Sequence, residues 1–444
     1  MNRLKKNNKK ILQLLNSKNK ENVELGYQLC KGAAKGYDEE VALVLRKDLF
    51  KCLIFGLETK YLESLRTIHL AGISGKQLEA AMPAIASLHN LYELDLSFNS
   101  FFTLPKQIGS LRNIKKLSLM EVGLMELPKE IGKMAQLRQL DLHGNNLQTL
   151  PPNMVCLEKL HKIDLSRNHF QYVPYLLSEL KNIRVINLRE NFLTSITAFA
   201  LAKPGTRNLK ILDLSSNSID KLPTGIATLG NLRKLYLGDN NLQELPTKLP
   251  TNLEVLGLGK TPKLFHQYIS KYIKCLHNLK ALELGSNSIT KIPEKIGVIK
   301  ALVALDLSNN QLVSLSKDIR QLEVLMLLDL SSNDLSTLAS EIKYLKRLKS
   351  LNLQNNKLSK VSREIGKLVE LERLDLQENQ LKRLPSQIKN LKKLKVLKLD
   401  NNPLAASSIR KIKKLLPHCE VTASWPDRPD KLFQKQDFID DIPT

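Results

Sequence analysis

Cysteine is scarce and scattered. Cys30, Cys52, Cys156, Cys275 and Cys419 share no CxxC or histidine-paired spacing, so neither a disulfide framework nor a zinc site is expected. No Gly-x-Ser-x-Gly elbow occurs, and no cysteine stands in a histidine-assisted setting, which leaves nucleophilic catalysis without a candidate. No apolar run approaches the ~18 residues of a membrane-crossing helix. The basic start, Met1-Asn-Arg-Leu-Lys-Lys-Asn-Asn-Lys-Lys, leads only to Ile11-Leu12 and Leu14-Leu15, too short a core for a secretion signal. The expectation is a soluble, cytoplasmic protein of a reducing compartment. No enzyme activity, cofactor, metal or small-molecule substrate is expected.

What the chain has in abundance is one motif. Leu371-Glu-Arg-Leu-Asp-Leu-Gln-Glu-Asn379, followed by Leu381 and Leu384-Pro385, recurs from Leu65 to Asn402 in about fifteen units. Most unit starts lie 23 residues apart, as at Leu91, Ile114 and Leu137; three spacings are 26 and one, from Leu232 to Leu253, is 21. A fixed period of this length marks a solenoid. The x-Leu-x-Leu-x core alternates with period two and reads as a short strand with its leucines inward, stacked in parallel on the next strand. An asparagine recurs at positions such as Asn99, Asn145, Asn168, Asn287 and Asn379, where its amide can serve buried backbone groups at the turn. The return segment, as in Leu104-Pro105-Lys-Gln-Ile108-Gly-Ser-Leu111, places two apolar residues three apart and fits a short helical turn.

These residues resemble the leucine-rich-repeat superfamily in its 23-residue Leu-Pro-x-x-Ile-x-x-Leu form, typical of intracellular Ras-group and bacterial cytoplasmic repeat proteins. The resemblance covers about residues 65–420. It implies an α/β solenoid, a horseshoe with a curved parallel concave sheet, and it implies a binding scaffold without naming the partner. Residues 1–64 read as a helical N-terminal cap of three helices, 65–403 as the array, 404–423 as a C-terminal cap with a covering helix, and 424–444 as a mobile tail. Val122 and Thr261 depart from the asparagine column, and Leu315-Ser316, Leu338-Ala339 and Val361-Ser362 lack the proline. After the short unit from Leu232, the spacing of Phe265, Ile269, Ile273 and Leu276 suits a longer convex helix.

Several chemical look-alikes dissolve on inspection. Gly257-Leu-Gly259-Lys260-Thr261 suggests a phosphate loop, but Glu254 stands where the first glycine is needed, and the segment is a repeat strand. The aspartates Asp95, Asp141, Asp164, Asp213, Asp306, Asp329 and Asp375 form one column and read as structural. The histidines His69, His143, His161 and His169 fall in different columns.

Binding is therefore the expectation, on side chains that point outward between the leucines. Formal charge is +24, and residues Glu341 to Lys414 hold 20 Lys/Arg against 7 Asp/Glu. Two clusters depart from the generic pattern: His69, Tyr92, Phe98 and Met120 near the start of the array, and Arg189, Arg233, Lys234, Tyr236 and Lys260 in the middle. Tyrosine and arginine are residue types enriched at binding hot spots. The expected function is a non-catalytic scaffold that recognises a partner protein through the concave face, in a setting such as intracellular signalling. The alternative is electrostatic binding of nucleic acid or anionic membrane through the basic C-terminal half.

Overall fold

A computed structural model describes residues 2–33, 36–196, 204–264, 269, 271, 272, 274–292 and 295–423. The chain divides into two compact units, Met1–Asn191 with Lys203–Thr206, and Phe192–Ala202 with Arg207–Thr444.

The first unit opens with α1 (Asn2–Leu15), α2 (Lys20–Lys31), α3 (Glu39–Leu45), α4 (Leu49–Phe55) and α5 (Thr59–Ser64). Side-chain oxygens of Asn19, Asp38 and Asp48 cap α2, α3 and α4 by accepting from backbone N–H groups, the role these residue types perform best at a helix start. The sequence suggests three helices here, and the described residues form five. Asp48 makes much of the difference: its carboxylate accepts from Lys51 N at 3.0 Å and divides the apolar run 41–50 into two helices. Tyr27, Cys30, Val41, Leu45, Cys52 and Leu53 are buried between them, and the Tyr27 and Phe55 rings stack at 5.6 Å.

Six strands follow in the first unit: β1 (Thr67–His69), β2 (Glu93–Asp95), β3 (Lys116–Ser118), β4 (Gln139–Asp141), β5 (Lys162–Asp164) and β6 (Val185–Asn187). They pair in parallel in chain order, so that Leu94, Leu117, Leu140 and Ile163 stand in one row. That middle residue is buried in each strand, as period-two geometry requires. The return segments are 3-10 turns, such as Lys106–Ser110 and Lys129–Lys133. The first, 26-residue repeat instead carries a full helix, α6 (Gly75–Ala86), held by a Ser74–Gln77 capping box.

The second unit repeats the scheme with β7 (Ile211–Asp213), β8 (Lys234–Tyr236), β9 (Val255–Gly257), β10 (Ala281–Glu283), β11 (Ala304–Asp306), β12 (Leu327–Asp329), β13 (Ser350–Asn352), β14 (Arg373–Asp375), β15 (Val396–Lys398) and β16 (Glu420–Thr422). Helix α7 (Ala406–Leu415) precedes the last strand. The helix expected over 265–276 falls largely outside the described residues, as does the tail 424–444.

The asparagine column is structural, as its position suggests. Asn168 donates to Leu142 O and Leu165 O, and accepts from Leu147 N, satisfying backbone groups that would otherwise be buried and unpaired. Where Val122 replaces asparagine, Asn145 of the next repeat accepts from both Val122 N and Leu124 N. Thr261 keeps part of the role, its hydroxyl donating to Leu258 O at 2.7 Å. The residue before the column is left-handed in repeat after repeat, including Phe98 (φ 59°), Lys260 (φ 52°) and Asn309 (φ 51°).

Candidate functional site

In each strand the first and third residues project away from the leucine core. The third position carries the aspartates, and each has a structural bond. Asp95, Asp141, Asp164, Asp213, Asp306, Asp329 and Asp375 accept through Oδ1 from the backbone N–H two residues on, at 2.8–3.1 Å. These bonds hold the chain as it leaves the strand.

The four N-terminal candidates occupy different positions on the first unit. His69 Nδ1 lies 3.0 Å from Asp95 Oδ2 on the neighbouring strand. Phe98 is 64% exposed and its N–H donates to Met120 O at 2.8 Å, so these two are neighbours at the exit from the strands. Tyr92 stands at the strand entrance, with Lys115 Nζ 6.0 Å from its ring centre. Phe102 and Met125 are also exposed, and Met125 N–H donates to Phe102 O at 3.2 Å; neither is among the residues singled out from the sequence.

The central candidates divide between the units. Arg189 belongs to the first, where it shares Glu190 with Arg167 at 2.9 and 2.6 Å; the two guanidinium groups hold the Glu190 carboxyl below its ordinary range despite some burial. The other four are in the second unit. Arg233 lies 3.5 Å and Lys280 3.1 Å from the two oxygens of Glu254, and Lys260 lies 3.8 Å from Asp239. Arg233 and Lys260 are thus paired with carboxylates one repeat away, and Arg189 with the residue next to it. Lys234 is half-buried and has no ion-pair partner among the described residues.

Tyr236 has an apolar neighbourhood on one side. It packs with Met326 against a cluster formed by Val255, Ala281, Ala304 and Leu327, which are 2, 1, 0 and 7% exposed. These four are the first residues of β9 to β12 and stand in register. Over these strands a buried apolar row therefore lies outside the leucine core as well. The row is bounded by Lys234 of β8 and Ser350 of β13. Gly257 belongs to the same arrangement: a Cβ there would come within 3.0 Å of Tyr236 Cδ1 and 3.2 Å of Glu283 Oε2.

Beside the apolar row runs an acidic one. Asp306 and Asp329 are register partners on β11 and β12. Burial, and then the Asp306 charge, push the Asp329 carboxyl up to about 6 against the hydrogen bonds from Ser331 and Asn352. Among the described residues no lysine or arginine pairs with either aspartate. Further along, Asp375 is also pushed up to about 6, first by burial; its Oδ2 accepts no hydrogen bond and faces Lys398 Nζ at 3.9 Å. No cluster of His, Cys, Asp and Glu suited to a metal occurs among the described residues.

The family described as "Leucine-rich repeat region" matches residues 49–203, and "Leucine rich repeat" matches 181–242, 277–335, 300–358 and 346–404. Among solved structures, a leucine-rich-repeat protein of Leptospira interrogans is 36% identical, with a TM-score of 0.72 over 81% of this chain and 90% of that one. The ectodomain of the Arabidopsis thaliana receptor kinase GASSHO1/SCHENGEN3, solved in complex with CASPARIAN STRIP INTEGRITY FACTOR 2, is 26% identical with a TM-score of 0.51, over 80% of this chain and 49% of its own. The functional domain of InlJ from Listeria monocytogenes shares the fold at 19% identity, with a TM-score of 0.60 over 84% of this chain and 78% of that one. No curated protein sequence matches the chain.

Proposed function

This chain belongs to the leucine-rich-repeat family, and from that premise we propose that it is a non-catalytic scaffold binding a partner protein through the outward face of its sheet. Leucine-rich-repeat domains commonly bind protein partners, and the Arabidopsis relative is described in a complex of that kind. The observation that carries the reading is the exposed apolar group Phe98, Phe102 and Met125, 64, 63 and 61% exposed in the turns that follow the first unit's strands. Exposed framework positions of a repeat array take polar residues at no cost, whereas apolar surface rimmed by polar groups marks interaction sites. The set Arg189, Arg233, Lys234, Tyr236 and Lys260 and the set His69, Tyr92, Phe98 and Met120 are proposed contact residues at the centre and the start of the array. A cytoplasmic location and a signalling setting belong to the same proposal.

The test is a pull-down from native lysate on the full chain, with and without nuclease, across a salt series. The expected result is a discrete protein that survives nuclease and moderate salt. Tyr236→Ala combined with Arg233→Glu is expected to weaken that capture at least tenfold, a loss in the range of one hot-spot residue, while leaving the circular dichroism spectrum intact. Capture of nucleic acid or lipid alone, lost as salt rises, would overturn the reading.

A further inference from the structure

We propose that the acidic, apolar segment 437–442 of this chain docks on the basic turn face of its last repeats. Its aspartates meet Lys346, Lys367, Lys389 and Lys392, and its apolar side chains meet Tyr344 and Val369. This contact is independent of the partner-binding reading above.

The repeat itself builds the surface. The 3-10 turns Ser340–Tyr344, Arg363–Lys367 and Ser386–Asn390 precede β13, β14 and β15, and those strands pair at an offset of 23 residues. The same offset sets Tyr344 beside Lys367, and Lys346, Val369 and Lys392 in one row across the turns. The turns lie close together: a Cβ on Gly366 would stand 2.5 Å from Gln387 O. All four lysines are exposed, and among them Tyr344 and Val369 are 45 and 48% exposed. Ile342, Ile365 and Ile388 anchor the same turns and are fully buried, so the core does not depend on Tyr344 or Val369.

Charge argues for an acidic occupant. The acids on these turns are already engaged: Glu341 accepts from Ser340 Oγ, Glu364 faces Arg363 at 3.8 Å, and Glu370 faces Lys393 at 2.7 Å. Lys346, Lys367, Lys389 and Lys392 meet no carboxylate among the described residues. Half-buried Lys343 sets its Nζ 5.3 Å from the Tyr344 ring centre and adds to the same positive field. Such a field, interleaved with two apolar side chains, suits a segment that carries acids and apolar residues together.

That segment is written in the same chain. Residues 437–442 read Asp437-Phe438-Ile439-Asp440-Asp441-Ile442, and 436–444 hold three aspartates with no lysine or arginine, in a chain of net charge +24. Asp437 lies 14 residues past Ala423, which follows β16. A coil of that length spans about 20 Å, and at most about 50 Å when extended. Strands stack roughly 4.8 Å apart and β16 pairs with β15, so the three turns lie one to three repeats from where the tether starts. Tethering holds the segment at an effective concentration of about millimolar, which suits exposed ion pairs that are weak between separate molecules. The docked segment also covers lysines that a polyanion would need.

The experiment titrates a fluorescein-labelled peptide of residues 435–444 into the full chain and reads anisotropy in about 50 mM salt, where exposed charges are only partly screened. Two chains are compared, the native one and Asp437→Asn/Asp440→Asn/Asp441→Asn, whose own segment is disarmed. The peptide should bind the disarmed chain at least tenfold tighter than the native chain, where the tethered segment competes. Adding Lys367→Glu/Lys389→Glu to the disarmed chain should abolish binding, and adding Tyr344→Ala should weaken it several-fold. These positions are exposed, and an unchanged circular dichroism spectrum checks the fold. Equal affinity for the native and disarmed chains, no binding to the disarmed chain, or binding indifferent to the lysine reversals would overturn the proposal. A native chain that sediments as a dimer, with the disarmed chain a monomer, would put the segment on a second copy and overturn its assignment to its own turns.

Discussion

At the scale of single residues, side chains that look alike in the sequence are separated by what lies one repeat away. Asn145 and Asn168 share a column, but Asn145 serves a repeat with no asparagine of its own. It accepts from Val122 N and Leu124 N and donates to Leu119 O and Leu142 O. Leu142 O keeps the Asn168 amide if Asn145 is lost, whereas Leu119 O has no second carboxamide. Asn145→Ala should therefore cost on the order of 1 kcal/mol more than Asn168→Ala, read from urea denaturation midpoints; equal costs would contradict this account of Val122. The aspartates separate in the same manner. Because the Asp329 carboxyl sits near 6 in the fold, above its unfolded value of about 3.9, folding takes up a proton there. The stabilisation is complete below about pH 4 and is lost as pH rises to about 6. Asp306→Asn removes the like charge, so the Asp329 midpoint followed by carbon NMR should move down and the stability loss over that window should shrink. An unmoved midpoint would show that burial alone sets it. Cysteines divide by burial: Cys30 and Cys52 are buried with thiols pushed up to about 11 and about 12, while Cys156 and Cys275 are exposed. Maleimide at pH 7 should label Cys156 and Cys275 promptly, and Cys30 and Cys52 only after denaturant is added.

At the scale of elements, the strands and their turns were legible because leucine spacing alone dictates them, and the aspartate column was legible because every repeat needs the same bond. The outward apolar row was not. Val255, Ala281, Ala304 and Leu327 hold the same place in their repeats, spaced 26, 23 and 23 residues, but each is an ordinary strand residue one at a time. Only the ladder, with Val255 opposite Ala281 and Ala281 opposite Ala304, and the packing of Tyr236 and Met326 over it turn them into one buried row. The ion pairs near Tyr236 were likewise not legible residue by residue: Glu254, which pairs with both Arg233 and Lys280, lies on an intervening repeat. The turns hold a further lesson. Gly109, Gly132 and Gly366 occupy the same slot, where an added Cβ would stand 2.5, 2.2 and 2.5 Å from a carbonyl oxygen of the next turn, although Lys389 fills the equivalent place in the last repeat turn. The close approach is thus local, and Gly132→Ala should cost about 1–3 kcal/mol through forced separation of neighbouring turns, seen as a lower melting temperature. A melt unchanged by that substitution would mean the turns can part freely.

At the scale of the whole molecule, the question is whether a net charge of +24 is itself a binding device. Part of it is spent within the array: Lys181–Glu158, Lys357–Asp334, Lys393–Glu370 and Lys395–Glu372 pair at 2.5–3.0 Å, each across 23 residues. Exposed pairs of this kind add little stability, but they place a carboxylate beside lysines that a phosphate backbone would need. Long-range attraction remains, and it is screened over about 8 Å at physiological salt. A 20-nucleotide single strand should accordingly bind at 20 mM salt, with a steep loss in log–log slope as counterions compete, and should show no measurable binding at 150 mM. Binding of a protein partner depends on desolvated side-chain contacts, so its affinity should fall only a few-fold over the same range. If the oligonucleotide instead persists at 150 mM, and Lys392→Glu with Lys393→Glu abolishes it, the basic segment is a recognition surface in its own right and the sheet face loses its claim to be the principal one.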